Sequence, residues 1–482
     1  MRLLSAPLAL ALLAAVGCQS IHVQQQPDDT ASAQQHETAY QPRYRDTWPE
    51  VRTYIATSWD TTYTEVDNLP KPFYSGAPQW RVIFYWDMYF VHEGLLTDDR
   101  YDGSRNALSH WRMAKNHADN LLSLADKYGF VPNASAPWGT NRSQPPYLSI
   151  MVRDVYERAE DNDRDVADEW LRDAYETLRT EYDFWISDEI EDNTTPLPGL
   201  QRYFHHATDE DADAQYERLL ERLNLPADPD PEQKKRLSDH YFAEAESGMD
   251  FTPRFEQRAA DFAAVDLNTN LYRYEKNFAW MTDELGLTDQ PDWEAKAQAR
   301  KERIGEYFWD DERGLFLDYD FANDRRSRVA AYTTFHPLWA GLATEEQAAR
   351  VAENLSLFER EWGVAATAST PYEVDYQWGE DDGWAPVHLI VIAGLRNYGY
   401  HDKARRVAKK YLDLVAKNYE NPLPASYEEN DETHRRTPGH VYEKYEATTG
   451  TVNEDEYPAS EFLSWTAATY AYAYAYVASG EG

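Results

Sequence analysis

Two stretches far apart in the chain, SGMDFTPRF around Asp250 and YEKYEATTG around Glu443, each set one carboxylate among aromatic and small residues. A carboxyl pair in such settings suits cleavage of a glycosidic bond. One member protonates the departing oxygen while the other activates water or attacks the anomeric carbon, so their surroundings must hold one protonated and the other ionised. With 85 Asp plus Glu among 482 residues, accidental pairs are many. The context of these two has to carry the inference.

Three other segments supply that context. Trp80 to Phe90 reads WRVIFYWDMYF, where Asp87 is the only acid and follows Trp86. Aromatic faces stack on the apolar faces of sugars, and a lone acid among them can bind hydroxyls; taken alone, the run is equally a piece of core. VPNASAPWGTNRSQPPY, from Val131 to Tyr147, holds little apolar content for burial and carries Asn133, Arg142 and Gln144 on a Pro-rich loop, where functional groups tend to sit. YQWGEDDGWAPVHL, from Tyr376 to Leu389, places Gln377 and Trp384 among acids and glycines, with Pro386 near the start of a helix. Each cluster is weak evidence in a chain with 16 Trp and 35 Tyr, but their joint occurrence beside the two carboxylate motifs fits a sugar cleft.

The elements that must position these groups read mostly as helix. Residues 106–128 place Leu108, Trp111, Ala114, His117, Leu121 and Leu124 at spacings of three and four, and similar periodicity runs through 164–186, 263–286, 292–308, 385–398 and 401–418. GLFLDYDF at 314–321 is the clearest strand signal and predicts a small hairpin across Asn323-Asp324. The tail TYAYAYAYV at 469–477 has a period of two, yet its alanines and lack of a partner strand favour a buried helix. Neither a fixed repeat nor a βαβ alternation is apparent, which points to an all-α fold with minor β-hairpins.

Composition bounds the rest. Residues 1–17 read as a secretory signal, a short apolar run after Arg2 that ends at Cys18, the only cysteine. The Ala15-Val16-Gly17-Cys18 junction resembles a bacterial lipobox, in which Cys18 is lipidated. Residues 18–45 then read as a lipid-anchored flexible tether, and 46–480 as one catalytic domain. A periplasmic or outer-membrane-tethered lipoprotein is expected, touching membrane only through its anchor. The net charge of −38 argues against nucleic acid as a partner and suits either a saline habitat or an ordinary acidic secreted protein. No metal-ligand cluster is visible, His205-His206 reads as a solvent-exposed pair, and neither a cofactor nor a metal is expected.

In order and spacing, five blocks resemble the trehalase family of glycoside hydrolases: YWDMYF, the VPN block with Arg142 nine residues after Asn133, SGMDFTPRF followed by VDLN at 265–268, QW…GWAP, and EKYEATTG followed by EYP at 456–458. The resemblance spans most of the chain. It implies an (α/α)6 barrel of six inner and six outer helices with the cleft at one end, and hydrolysis of an α-linked glucoside with inversion. On that resemblance Asp250 falls on the general acid and Glu443 on the general base, while Trp86, Asp87, Asn133, Arg142, Trp384 and Glu456 fall on positions lining the sugar pocket. An inverting pair must stand about 6.5–9.5 Å apart to admit water.

The departures concern substrate. Gln79 stands where the family has an Arg eight residues before the Asp of YWD, and YFAEAE at 241–246 brings no Arg before SGMD. Gln377-Trp378-Gly379 replaces QWD, and TVNED replaces a glycine-rich segment before EYP. The expected function is therefore an inverting α-glycosidase that releases glucose from trehalose or a related small α-glucoside, acting as a monomer. Two rivals stay open. One is a glucosidase-I-like enzyme for another α-glucoside or a sugar-glycerate; the other is a non-catalytic glycan-binding lipoprotein.

Overall fold

The computed structural model describes residues 40–480 apart from 102–106, 160–163, 188–192, 221–224, 226–228, 373–375, 423–436, 454–458 and 463. The expected signal segment, Cys18, most of the expected tether and Glu456 lie outside the described residues.

Helices follow in the order α1 (Trp48–Ser58), α2 (Tyr85–Tyr101), α3 (Ala107–Tyr128), α4 (Leu148–Glu157), α5 (Arg164–Ile186), α6 (Asp209–Leu219), α7 (Pro231–Glu246), α8 (Val265–Glu284), α9 (Trp293–Tyr307), α10 (His336–Trp339), α11 (Glu345–Glu353), α12 (Ala385–Asn397), α13 (His401–Glu420) and α14 (Ser464–Ser479). Each of the six periodic stretches in the sequence is a helix to within two residues of its expected ends. Six helices close a ring by neighbour packing: α2 on α4, α4 on α8, α8 on α10, α10 on α12, α12 on α14, and α14 back on α2. Outside it, α3 covers α2 and α4, α5 covers α4 and α8, α9 covers α8, and α13 covers α12 and α14, with α1 on α13 and α14. The fold is an all-α (α/α)6 barrel.

Sequence decides which helix goes inside. α12 is buried from Ala385 to Leu395 and α14 from Ser464 to Ala473, so both are apolar on every face. In α13 the buried stripe Ala404, Val407, Ala408, Tyr411, Leu412 and Val415 alternates with lysines and arginines that face outward, the pattern of an outer helix. The alternating Ala and Tyr of α14 serve two purposes. Alanines let α2 approach so closely that a Cβ on Gly94 would stand 2.3 Å from Ala468 Cα. The tyrosines find partners elsewhere: the Tyr470 hydroxyl donates to the Trp48 carbonyl, and that of Tyr472 accepts from Arg396.

Short antiparallel pairs decorate the barrel. Tyr319–Asp320 pairs with Arg325–Arg326 across Asn323-Asp324, as expected, and also with Phe262–Ala263 just before α8. The chain is docked earlier than the tether expectation allowed. Asp413 of α13 accepts from the Tyr40 hydroxyl (2.8 Å) and from the backbone N–H groups of Arg43 and Tyr44, so residues 40–44 belong to the folded body.

Candidate active site

Asp250 stands on the turn that leaves α7, and that turn is tightly specified. Gly248 has φ +74°, and a Cβ there would lie 2.6 Å from Cε2 of Trp86. Phe251 also adopts positive φ, 67°, a conformation that a bulky residue holds only when its surroundings impose it. Glu244 imposes it, its Oε1 accepting the N–H groups of Phe251 (2.8 Å) and Thr252 (3.4 Å). The result is an exposed carboxyl, Asp250, on a fixed and buried base.

Two residues further along α7, Glu246 fixes a different segment. It is fully buried, and its two oxygens accept from the N–H of Ser143 (2.8 Å), the N–H of Phe204 (2.7 Å) and the amide of Asn193 (3.2 Å). Burial pushes its carboxyl up to about 8 in spite of these donors. Its neighbour Arg142 donates to Asn141 Oδ1 (2.8 Å) and, at 3.5 Å, to Asn133 Oδ1. Gln144 accepts the N–H of Trp86 (3.1 Å), and the Asn133 carbonyl accepts that of Tyr85. The VPN block is thus mostly interior: Asn133, Ser143 and Gln144 are buried, and Asn133 and Gln144 bind the start of α2. That corrects the expectation of a loop with little to bury: its polar side chains are buried because they pair with backbone groups.

Tryptophans join the remaining blocks. Trp378 and Trp384 stack at 4.3 Å and 8°, Trp86 lies 5.6 Å from Trp378, and Trp465 of α14 meets Trp86, Trp378 and Trp384 edge-on. Trp378 N–H donates to the Phe251 carbonyl, tying the QW block to the Asp250 turn. Trp465 Nε1 donates to the Glu443 carbonyl (3.3 Å), tying the same cluster to the second carboxylate. Trp384 Nε1 donates to the Gln377 carbonyl (2.8 Å), which fixes that turn through backbone.

Glu443 is buried, 3% exposed, and its Oε2 accepts the N–H of Ser460 (3.2 Å). Ser460 Oγ in turn accepts from Gln79 Nε2 (2.9 Å), so the residue standing in an arginine's place braces the segment that holds Glu443. Asp87 lies within reach of both candidates. Its carboxyl is held well above the usual range, by burial first and then by the negative fields of Glu443 and Asp250. Three carboxyls therefore share one field. Like charges in a shared site cannot all ionise at once.

Beneath the Asp250 turn, Arg254 is fully buried and forks onto two carboxylates, Asp266 (Nη2 to Oδ1, 2.5 Å) and Asp318 (Nε to Oδ2, 2.7 Å). Asp266 is the acid of VDLN, so the fork links the turn to α8 and the hairpin. Removing one partner of such a buried pair leaves an uncompensated charge. A recess beside Asp250 is lined by Arg142, Gln215, Arg218, Tyr241, Phe242 and Glu244. A larger cavity, about 290 Å³, opens beside Tyr376, Glu380, Asp381, Asp382 and Glu446 and includes neither candidate carboxyl. Among the described residues its lining is acidic.

A model of the family described as trehalase matches residues 22–477. The chain belongs to the trehalase family. It is 30% identical over 412 residues to a cytosolic neutral trehalase of Kluyveromyces lactis, covering 79% of this chain and 51% of that one. It is 28% identical over 380 residues to a periplasmic trehalase of Xanthomonas oryzae pv. oryzae, covering 73% and 61%. Among solved structures it superposes on neutral trehalase Nth1 from Saccharomyces cerevisiae with a TM-score of 0.66 at 26% identity, covering 84% of this chain and 73% of that one. The chain spans about half the length of the first curated relatives it matches.

Four of the five trehalase-family blocks meet at this site, together with the EKYEATTG part of the fifth; its EYP part, with Glu456, lies outside the described residues. Glu244, Glu246 and Arg254 do not figure in the sequence reading, although EAES and PRF flank the motif that names Asp250. His205-His206 is not an exposed pair. His205 is 5% exposed, stacks on Phe204, packs on Phe242 of α7, and accepts the Ala207 N–H while its Nε2 meets Asp239 at 3.1 Å. Only His206 is exposed.

Proposed function

We propose that this trehalase-family chain is an inverting α-glycosidase that hydrolyses trehalose or a closely related small α-glucoside, with Asp250 as general acid and Glu443 as general base. The observation that carries the reading is the convergence of both carboxyls on one tryptophan cluster around Asp87. In this scheme Asp250 gives its proton to the glycosidic oxygen as the C1–O bond breaks. Glu443 takes a proton from the water whose oxygen attacks C1 from the opposite face. Trp86, Trp384 and Asp87 wall the glycone, with Asn133, Arg142, Gln144, Gln377 and Glu456 completing the sugar pocket.

Inversion at one anomeric carbon of an α,α-linked disaccharide yields one β- and one α-glucose. Proton NMR in the first minutes of trehalose hydrolysis should show equal amounts; only α-glucose would refute inversion. Asp250→Asn and Glu443→Gln should each lower kcat by a factor on the order of 10² to 10⁴. Near-normal turnover in either folded variant removes that residue from the mechanism. We also propose export and tethering through Cys18, supported by the apolar run before it and by a periplasmic relative.

A further inference from the structure

The segment before SGMD offers no arginine, yet the recess beside Asp250 contains two. Arg142 comes from the VPN block; Arg218 comes from α6, a helix outside every recognised block. α6 packs its buried Ala212, Tyr216 and Leu219 against α7, and that contact turns Gln215 and Arg218, one helical turn apart, toward the recess. Arg218 is exposed and makes no hydrogen bond or ion pair among the described residues. Its charge is close enough to Arg142 to add to the effect of burial in lowering that guanidinium's proton affinity. The carboxylates of Asp250 and Glu246 oppose that effect.

Other groups in the recess also lack partners. Arg142 Nε is buried without an acceptor, and the hydroxyl of Tyr241, a residue 4% exposed, is buried without one. Buried polar groups are costly to leave unpaired, and their clustering beside a reactive carboxyl marks a place for a ligand's oxygens. The enclosed part of the recess is about 40 Å³, room for hydroxyl groups at the edge of a sugar rather than for a whole ring. Its lining includes Asp250 but not Glu443, Asp87 or any tryptophan of the wall. A general acid touches the bond's departing oxygen, and the base works on the far face of the glycone, so a surface shared with the acid alone faces the leaving group.

We propose that Arg218 is a specificity-determining residue for the leaving sugar, binding its vicinal hydroxyls together with Arg142 and the Tyr241 hydroxyl. The assignment rests on the glycosidase reading with Asp250 as acid. It means that α6 supplies the guanidinium missing from the segment before SGMD. A guanidinium fork matches two neighbouring oxygens in a way that a lysine ammonium does not.

The test compares trehalose with α-glucosyl fluoride, whose leaving group is one atom and places nothing in the recess. Arg218→Ala should lower the trehalose-to-fluoride ratio of kcat/KM by roughly tenfold to a hundredfold, the range of one hydrogen bond to a charged group. Arg218→Lys should recover only part of that ratio, and Tyr241→Phe should shift it in the same direction. An unchanged ratio in folded Arg218→Ala overturns the assignment, as does full recovery by lysine. A wild-type enzyme that cleaves the fluoride but not trehalose also overturns it, while leaving the glycosidase reading intact. Cleavage of neither substrate overturns both.

Discussion

Replacing Gly248 with alanine tests whether the site is built by the close approach of the Asp250 turn to the tryptophan wall. Two costs can be separated. The backbone sits at φ +74°, where an L side chain costs about 1–2 kcal/mol. The new Cβ would also stand 2.6, 2.9 and 2.9 Å from three atoms of the Trp86 indole. Trp86 cannot yield freely, because Phe90, Trp378 and Trp465 surround it. Forcing a methyl into such packing costs roughly 1–3 kcal/mol more. The sum, about 2–5 kcal/mol, must appear as lost stability or as a displaced Asp250, and a shift of about 1 Å in a catalytic group costs on the order of a hundredfold in rate. Gly286→Ala is the control: its φ is +60°, but nothing lies within 4 Å of the added Cβ, so it should show the backbone cost alone and keep its turnover. Urea unfolding and kcat/KM on trehalose decide the matter. If Gly248→Ala unfolds like Gly286→Ala and keeps its kcat/KM within about twofold, the close approach does not position the acid.

Two further outcomes follow from single groups. His388 accepts the Val364 N–H on Nε2 (3.0 Å) and shares its Nδ1 with the Trp384 carbonyl (2.8 Å), and burial lowers its pKa to about 4. Because the unfolded ring titrates near about 6.5, the folded state binds fewer protons below that pH; the ring's contribution is complete above it and falls by about 3 kcal/mol as pH drops through 4. Denaturant unfolding between pH 7 and 4 should show a steeper loss in the wild type than in His388→Gln, and equal slopes would falsify the attribution. Cys18→Ser should move the expressed protein from the membrane fraction to the soluble one with unchanged specific activity. A wild-type protein that is wholly soluble rules the anchor out.

Much of the barrel was legible because its cause is local. The three-four spacing of apolar residues in α3, α5, α9 and α13 is the same information that buries one face of each, while α8 and α12 are buried more widely, and the small residues of α14 permit its close contact with α2. The blocks around Asp250 and Glu443 were legible because their chemistry needs several unusual residues in a short span. What sequence did not reveal depends on partners hundreds of residues away. Tyr40 and Tyr44 sit in a stretch composed like a tether, and Asp413, about 370 positions later, together with Trp362 fixes them. His205 lies beside an exposed histidine, and Phe242 on another helix decides its burial. Arg218 occupies a helix that reads as an acidic solvent face, and its role arises only from the packing of α6 on α7.

The last turn of α7 explains why the acid and its surroundings stay in register while the substrate side varies. Glu244 and Glu246 are two residues apart, so their side chains leave the helix in different directions. One holds the backbone of the Asp250 turn; the other holds Ser143 and Phe204, and through Ser143 the segment that carries Arg142 and Gln144. A single helix end thus sets the acid and the arginine relative to each other. Gln144 extends the frame to Trp86, and Trp378 closes it back onto the Asp250 turn. Glu244 also lines the recess, whereas Arg218 takes no part in these links. An arginine lost from the approach to SGMD can therefore be replaced from α6 without disturbing the reacting centre. Arg218 stands outside that frame, and substitutions at it should change which sugar leaves well before they change how the bond is broken.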